Sequence, residues 1–398
     1  MKRRSIIIFC GMILSALSAF SQFDTTFNGQ QLTRNTITTA VPFVGIGPDA
    51  RSGGMGELGA ATEPDAASMH WNPAKYAFIN KDLGVSISYS PWLANLVSDI
   101  NLAYLCGYKR IDDRSTIAAS LKFFSLGSIT FTDESGGFIM DARPNEFSVD
   151  AAYARKFSDK ISGSVAGRFI YSNLTQGQYV GSSSTKPGTS IAADVAFYYT
   201  DDLTISWLES SKISVGAIIT NIGSKVSYSN DDTYKDFIPT NLRLGPSWLM
   251  NIDEYNSIRF SLDLNKMLVP TPPIKSDSVD ATGNYEIFDG YDDNVSVVKG
   301  MYQSFYDAPG GFSEEMKEII WILGAEYWYA RQFSVRGGYF HESVMKGGRQ
   351  FFTLGVGLRY NVFGLDFSYL IPTEQQNPLA NTLRFTLTFD FDGFRSQE

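Results

Sequence analysis

Reactive side chains are scarce in this chain of 398 residues, which holds 2 cysteines and 2 histidines. Cys10 falls in an N-terminal leader, so Cys106 stands alone in the mature chain and no internal disulfide can form. His70 and His341 each lack a neighbouring histidine or cysteine, which excludes the clustered ligands of a zinc site. No G-x-S-x-G elbow occurs either, and no nucleophile and base can be paired, so the chain reads as a non-enzyme with no cofactor. Charge is sparse at 19%, against about a quarter in ordinary soluble domains. The formal net charge of -9 leaves no basic face for phosphates, and a nucleic-acid partner is excluded. Asp231-Asp232 and Asp292-Asp293-Asn294 lack the spacing and glycine of a calcium loop and read as solvated acids. Beyond the leader, the longest apolar run is Ile319 to Ala325, far short of the roughly 20 residues a spanning helix requires.

The leader itself is plain. Lys2, Arg3 and Arg4 precede the apolar run Ile6 to Leu17, and Ala19-Phe20-Ser21 offers small residues for cleavage, so residues 1–21 read as a signal peptide. Its removal takes away three positive charges and shifts the net charge from -9 to -12.

What is abundant points to strands. There are 35 glycines, 29 Phe and 21 Tyr, a composition suited to long strands, tight turns and interfacial rings. Leu83, Val85, Ile87 and Tyr89 alternate with small polar residues, and the same period of two recurs to Leu383, Phe385, Leu387, Phe389 and Phe391. About fourteen such segments can be counted, most near ten residues, the length a tilted strand needs to cross a bilayer. The alternate positions carry Asp150, Lys156, Asp194, Arg259, Asp263, Arg336, Arg359, Asp366, Arg384 and Asp390. A soluble sandwich or lipocalin-like barrel would use strands of about five or six residues. The expected fold is therefore all-β: a transmembrane antiparallel β-barrel of about 14 strands, greasy outside and charged inside. After a first short connection around Pro91 to Val97, connections alternate short and long, with Thr200 to Lys212 as the exception, so the long loops read as extracellular and both termini as periplasmic.

Between leader and barrel lies a different stretch, Pro48 to Phe78, rich in Gly and Ala. Pro64 can open a short helix running to His70, and Pro73 should stop it. Gly54, Gly56 and Gly59 match G-x-G-x-x-G, but prolines interrupt any preceding strand and no strand–helix alternation follows, so a dinucleotide site is not expected. The expected organisation is residues 1–21 as signal peptide, 22–80 as N-terminal segment and lumen plug of short helices, and 81–398 as barrel. The plug residues singled out are Arg51, Gly54, Gly56, Asp65, Trp71, Asn72 and Pro73; Arg51 and Asp65 should pair with lumen charges.

The run from Asp49 to Pro73, with Ala50-Arg51-Ser52, Gly54-Met55-Gly56, Asp65-Ala66, Ser68 and Trp71-Asn72-Pro73-Ala74, resembles the N-terminal hatch of the FadL-like outer-membrane barrels. Within that group it looks most like the PorV (LptO) family of the type IX secretion system. The resemblance implies a bacterial outer-membrane protein embedded in outer-membrane lipid. It further implies a shuttle that receives C-terminal signal domains of secreted cargo from the type IX translocon, a SprA/Sov-type barrel, and delivers them to the attachment complex containing the sortase PorU. The alternative it implies is a FadL-type channel for hydrophobic small molecules, with Met55, Leu58, Met69 and Trp71 lining a local pocket.

The longest loop, residues 266–318, reads as structureless from the sequence, yet it carries Tyr285, Phe288, Tyr291, Tyr302, Phe305, Tyr306 and Phe312 among many acids. Loops above about fifteen residues are usually functional or disordered, and aromatics argue against plain disorder. Two readings stay open for it: a partner-binding surface, or a lid packed over its own barrel mouth.

Overall fold

In a computed structural model the described residues are 26–27, 30–31, 34–93, 97, 99–132, 135–177, 179–180, 183–230, 235–279, 285–374 and 378–391. The expected signal peptide, residues 1–21, lies outside them, as do Asp231 and Asp232. The chain divides into two units, Met1–Asn35 and Thr36–Glu398. In the first, Thr26–Phe27 and Gln30–Gln31 form a two-residue antiparallel ladder.

The second unit is built by the period of two. Each segment that alternates apolar and small polar residues becomes one strand, and the described residues form a closed antiparallel barrel of fourteen strands. In chain order these are β1 Leu83–Pro91, β2 Asn101–Arg110, β3 Ser115–Ser125, β4 Asn145–Lys156, β5 Ile161–Asn173, β6 Gly188–Leu203 and β7 Ser210–Gly223. They continue as β8 Asn241–Asn251, β9 Asn256–Met267, β10 Ile320–Tyr329, β11 Phe333–His341, β12 Gln350–Tyr360, β13 Phe363–Pro372 and β14 Leu383–Phe391. Every neighbour in sequence is a neighbour in the sheet, and β14 closes on β1 through Phe391 opposite Leu83.

Register decides which side chains share a face. Leu105, Leu121, Val149, Phe169 and Ile191 stand side by side across β2 to β6, and all five are exposed. One residue along, Ser120, Asp150 and Arg168 form an adjacent row, and all three are buried. A soluble protein would bury the first row and hydrate the second; the inversion marks the outer wall as a lipid surface. Aromatics gather at both rims, for example Tyr255 against Tyr329 at one and Trp321 against Tyr339 at the other.

The ends of the barrel differ. At one end the strands are joined by residues 111–114, 157–160, 204–209, 252–255, 330–332 and 361–362. At the other the connections are 92–100, 126–144, 174–187, 224–240, 268–319, 342–349 and 373–382. The stretch expected as an exception to this alternation, Thr200 to Lys212, is a six-residue turn, 204–209. Its flanks are mostly polar but still pair across β6 and β7, Asp202 opposite Lys212 and Leu203 opposite Ser211.

Between Thr36 and Phe78 the chain runs through the lumen from the long-connection end to the short-turn end. Ala40 donates its amide to Phe237 O in the connection 224–240, at 2.8 Å. At the far end Thr116 Oγ1 donates to Tyr76 O at 3.1 Å and Ser162 Oγ to Ala74 O at 2.7 Å, each from the second residue of its strand. The barrel itself begins at Leu83 and ends at Phe391, both at the short-turn end. Thr36 to Val41 lie among the long connections instead, because an even strand number constrains the barrel and not a segment that crosses its lumen.

Candidate functional site

The lumen segment consists of short turns: a 3₁₀ turn Pro42–Gly45, α1 Ala50–Gly53, α2 Ser68–Trp71 and a second 3₁₀ helix Pro73–Phe78. The helix expected to run from Pro64 to His70 is confined to its last turn and one residue more. Asp65 is occupied elsewhere: its amide takes Ser68 Oγ as acceptor and its carboxylate takes Arg51 and Ser68, which folds 65–68 into a turn. Pro73 stops α2 as expected, but it also starts the next helix, because Asn72 Oδ1 accepts the Ala74 amide at 3.0 Å and caps it.

Arg51 is the hub. It leaves α1 with its guanidinium buried, donates from Nε and Nη2 to both oxygens of Glu326 on β10 at 3.0 and 2.9 Å, and donates from Nη1 to Asp65 at 2.9 Å. Glu326 also accepts from Arg336 Nε at 2.8 Å, Arg336 Nη1 reaches Asp366 at 2.7 Å, and Asp366 takes a two-pronged contact from Arg359. The result is an alternating chain of charge, Asp65–Arg51–Glu326–Arg336–Asp366–Arg359, buried at its four inner members and half-buried at its two ends, that joins plug to wall. Such a chain is tolerable in a dry interior because each charge meets its opposite with good geometry.

The remaining plug residues make the close fit. Trp71 Nε1 donates to Asp49 Oδ1 at 2.5 Å, and the Arg243 guanidinium lies 4.8 Å over its ring. Asp49 also caps α1 by accepting the Ser52 amide. Asn72 Nδ2 donates to Ala60 O within the plug and to Phe197 O on β6, at 2.8 and 3.0 Å. Gly56 adopts φ +80 and donates its amide to Thr353 Oγ1 at 2.8 Å. Wall glycines answer plug backbone: a Cβ on Gly216 would sit 1.9 Å from Ala60 O, and one on Gly355 would sit 2.9 Å from the Gly54 Cα. Met55 and Leu58 pack with Ile322, Phe340, Phe351 and Leu370, while Met69 packs with Tyr76 and Tyr108.

Several participants escaped the sequence reading. Glu326 sits at the inward phase between Ala325 and Tyr327, so its place was available from the period alone. Asp263 was noted as a lumen charge, but not that its carboxylate accepts the plug amides of Gly59 and Ala60 at 2.8 and 3.0 Å. Lys122 on β3 donates to Val44 O and Ile46 O, at 3.0 and 2.9 Å, and lies 3.2 Å from His70 Nδ1. Nothing local in sequence announces the contacts that Asp263 and Lys122 make with the plug backbone. Among the described residues no group of three His, Cys, Asp or Glu is arranged to hold a metal ion.

Above the plug stands the loop 268–319, and it is not structureless. Ile274–Val279 and Tyr285–Asp289 form a two-stranded ribbon, followed by α3 Val297–Gln303 and α4 Phe312–Lys317. Its base is clamped to the barrel by buried charge. Lys266 at the end of β9 donates to Glu315 and Glu318 at 2.9 and 2.6 Å. Lys346, from the connection 342–349, donates to Glu314 and lies 2.9 Å from Glu318. Burial works against ionisation of Glu318, yet the ammonium groups of Lys346 and Lys266 hold its carboxyl below the usual range. Burial, with Glu315 and Glu318 close by, pushes the Asp307 carboxyl up to about 6. Ile37, at the long-connection end of the lumen segment, packs against Val269 and Val295 of this loop and Phe237 of the connection 224–240.

The seven loop aromatics singled out from the sequence all face outward, from 50% exposed at Phe305 to 80% at Phe312. They span the ribbon, α3 and the start of α4. Tyr291 and Tyr306 meet edge to face at 5.6 Å, and Lys266 lies 5.7 Å from the Phe305 ring. So the plug residues converge in the lumen, the loop aromatics gather outside the mouth, and charged clamps hold each.

Among solved structures, the toluene transporter TodX of Pseudomonas putida superposes with a TM-score of 0.51 at 11% identity, over 91% of this chain and 100% of that one. A FadL homologue of Pseudomonas aeruginosa gives 0.41 at 12% identity, covering 90% and 100%, and the toluene transporter TbuX of Ralstonia pickettii gives 0.44 at 13%, covering 87% and 98%. No curated protein sequence matches. The TodX likeness shows the fold: a FadL-like barrel. A family model described as type IX secretion system protein PorV matches residues 29–274, more than half of the chain. With a lipid-facing barrel, a charge-clamped plug and that match together, the chain belongs to the PorV family and is an outer-membrane component of the type IX secretion system.

Proposed function

We propose that this protein is a shuttle, receiving the C-terminal signal domains of secreted substrates as they leave the SprA/Sov-type translocon and handing them to the attachment complex that contains the sortase PorU. In this reading the long-connection end faces the cell exterior. The observation that carries it is the outer loop: seven half-exposed or more exposed aromatics on a scaffold clamped by buried lysine–glutamate pairs. A surface apolar enough to be covered, and held rigid before anything covers it, suits protein recognition. The lumen supports the same reading, since plug backbone lies against wall glycines and the cargo is given an outer face instead of a passage.

The test replaces Tyr285, Tyr302 and Phe312 together by serine, leaving the clamp intact. Capture of a purified signal domain should fall at least about 30-fold, as expected when anchors of a recognition surface are truncated, while heat-modifiable migration of the barrel is retained. Unchanged capture refutes the assignment of the loop. The alternative, a channel for hydrophobic small molecules, takes its support from the fold alone. Met55, Leu58, Met69 and Trp71 are buried against other side chains, so passage along them requires the plug to move. Native mass spectrometry of the purified barrel separates the two, since retained apolar ligand favours transport and retained signal domain favours the shuttle.

A further inference from the structure

The outer loop sorts its acids into two sets. Between positions 266 and 318 there are ten acidic residues against four lysines. Glu314, Glu315 and Glu318 lie at the base, buried and paired with Lys266 and Lys346. Glu286, Asp289, Asp292 and Asp293 lie on the outward side, and none of the ion pairs among the described residues engages them. Three of them take hydrogen bonds from the loop's own neutral groups: Glu286 from Ser278 Oγ at 3.1 Å, Asp289 from the Gly290 amide at 2.8 Å, and Asp292 from the Asn294 amide at 2.9 Å. Lys225 feels Asp293 and Asp292 but sits over the Phe237 ring at 4.0 Å.

The same stretch carries Tyr285, Phe288 and Tyr291, each more than half exposed. An aromatic face is the negative side of a quadrupole and attracts a guanidinium or ammonium group. Rings and carboxylates interleaved on one surface therefore select one chemistry. A neutral apolar partner would strip water from four carboxylates and give them no counter-charge, and an anionic one would be repelled. A partner with arginine and lysine satisfies both, since the stem and guanidinium lie on the ring while the head group reaches the acid.

We propose that the face docking on this surface is a cluster of arginine and lysine side chains on a folded protein domain, drawn in by charge and anchored on the rings. This rests on the cargo-binding reading of the loop and adds the chemistry of the cargo's contact face. Lipopolysaccharide phosphates bridged by divalent cations are the competing occupant.

The test uses the full-length barrel in detergent micelles and, as probe, the purified C-terminal signal domain of a secreted substrate. Its association rate constant is measured at about 50 mM and about 300 mM salt, where the screening length shortens about 2.5-fold. The rate should fall roughly tenfold or more over that range, as charge-steered association does. The variant Glu286→Gln/Asp289→Asn/Asp292→Asn/Asp293→Asn should show a low, salt-independent rate throughout. A rate that ignores both salt and the four substitutions overturns the charge inference and leaves the cargo reading standing. No association of the signal domain overturns both. Vesicles of lipopolysaccharide are the control: binding that requires Mg²⁺, is reversed by chelation and is lost in the same variant assigns the acids to lipid and overturns the proposal.

Discussion

Replacing Glu326 by glutamine is the sharpest test of how the plug is held. The substitution keeps the volume and removes one negative charge from a side chain that accepts two bonds from Arg51 and one from Arg336. Glutamine can still accept through its oxygen, but its amide nitrogen must point at a guanidinium. Arg51 retains Asp65, but Arg336 must then share Asp366 with Arg359, so one buried positive charge loses its counter-charge. Removing one partner of a buried ion pair costs about 3–5 kcal/mol, and opening of the plug should become easier by that amount. At about 1.4 kcal/mol per decade this is roughly two to four orders of magnitude in the open population. The assay is native-state trypsin cleavage after Arg51 and Lys75, both buried and reachable only when the plug opens. Cleavage at those sites should accelerate correspondingly while heat-modifiable migration persists. A double variant, Arg51→Met/Glu326→Leu, should be less harmful than the sum of its parts, because it removes both charges. Acceleration below about fivefold in Glu326→Gln, or strict additivity in the pair, refutes the hub.

Three further outcomes follow from geometry described above. Gly216→Val should expel the plug from β7 without unfolding the barrel, since even its Cβ would fall 1.9 Å from Ala60 O; unchanged trypsin protection would contradict the close approach. The folded-state value of Asp307, about 6, lies above its ordinary 3.8, so the anchored loop binds a proton more tightly than the released loop does. Its contribution is fullest below 3.8 and is lost as pH rises through about 6; exchange at the Thr271 amide, which donates to Asp307, should be better protected at about pH 5 than at about pH 7.5, and Asp307→Asn should erase the difference. Thr38→Cys should react with an impermeant maleimide on intact cells and Asp113→Cys only after permeabilisation; the reverse pattern would invert the proposed orientation.

The barrel was legible because one rule, alternation, decides strand, face and lumen charge together. In β2, however, the apolar residues Leu102, Tyr104, Cys106 and Tyr108, expected on the greasy face, turn inward against the plug, and Leu105 faces out. The apparent irregularity at Thr200 to Lys212 arose because β6 and β7 extend past their apolar stretch as polar ribbon, where hydrogen bonding continues without a greasy face. The plug was legible as a region and less so as structure. Pro64 was a valid helix start, but Asp65 is claimed by Arg51, a contact decided by the fold and invisible to local propensity. The loop 268–319 hid its ribbon for a similar reason: Ile274–Val279 and Tyr285–Asp289 have no buried face to impose a pattern. Its aromatics could be named from composition, whereas the clamp beneath them joins Lys266, Glu315 and Lys346 across connections far apart in sequence.

The route of residues 36–78 also dictates an order of assembly. The segment starts at one rim, ends at the other and passes straight into β1, so once β14 has zipped onto β1 it could enter only by feeding its free end up a finished tube. Wrapping avoids that journey: the sheet curls about the segment like cloth around a spindle, and the last seam, Leu83 to Phe391, is sewn with the spindle already inside.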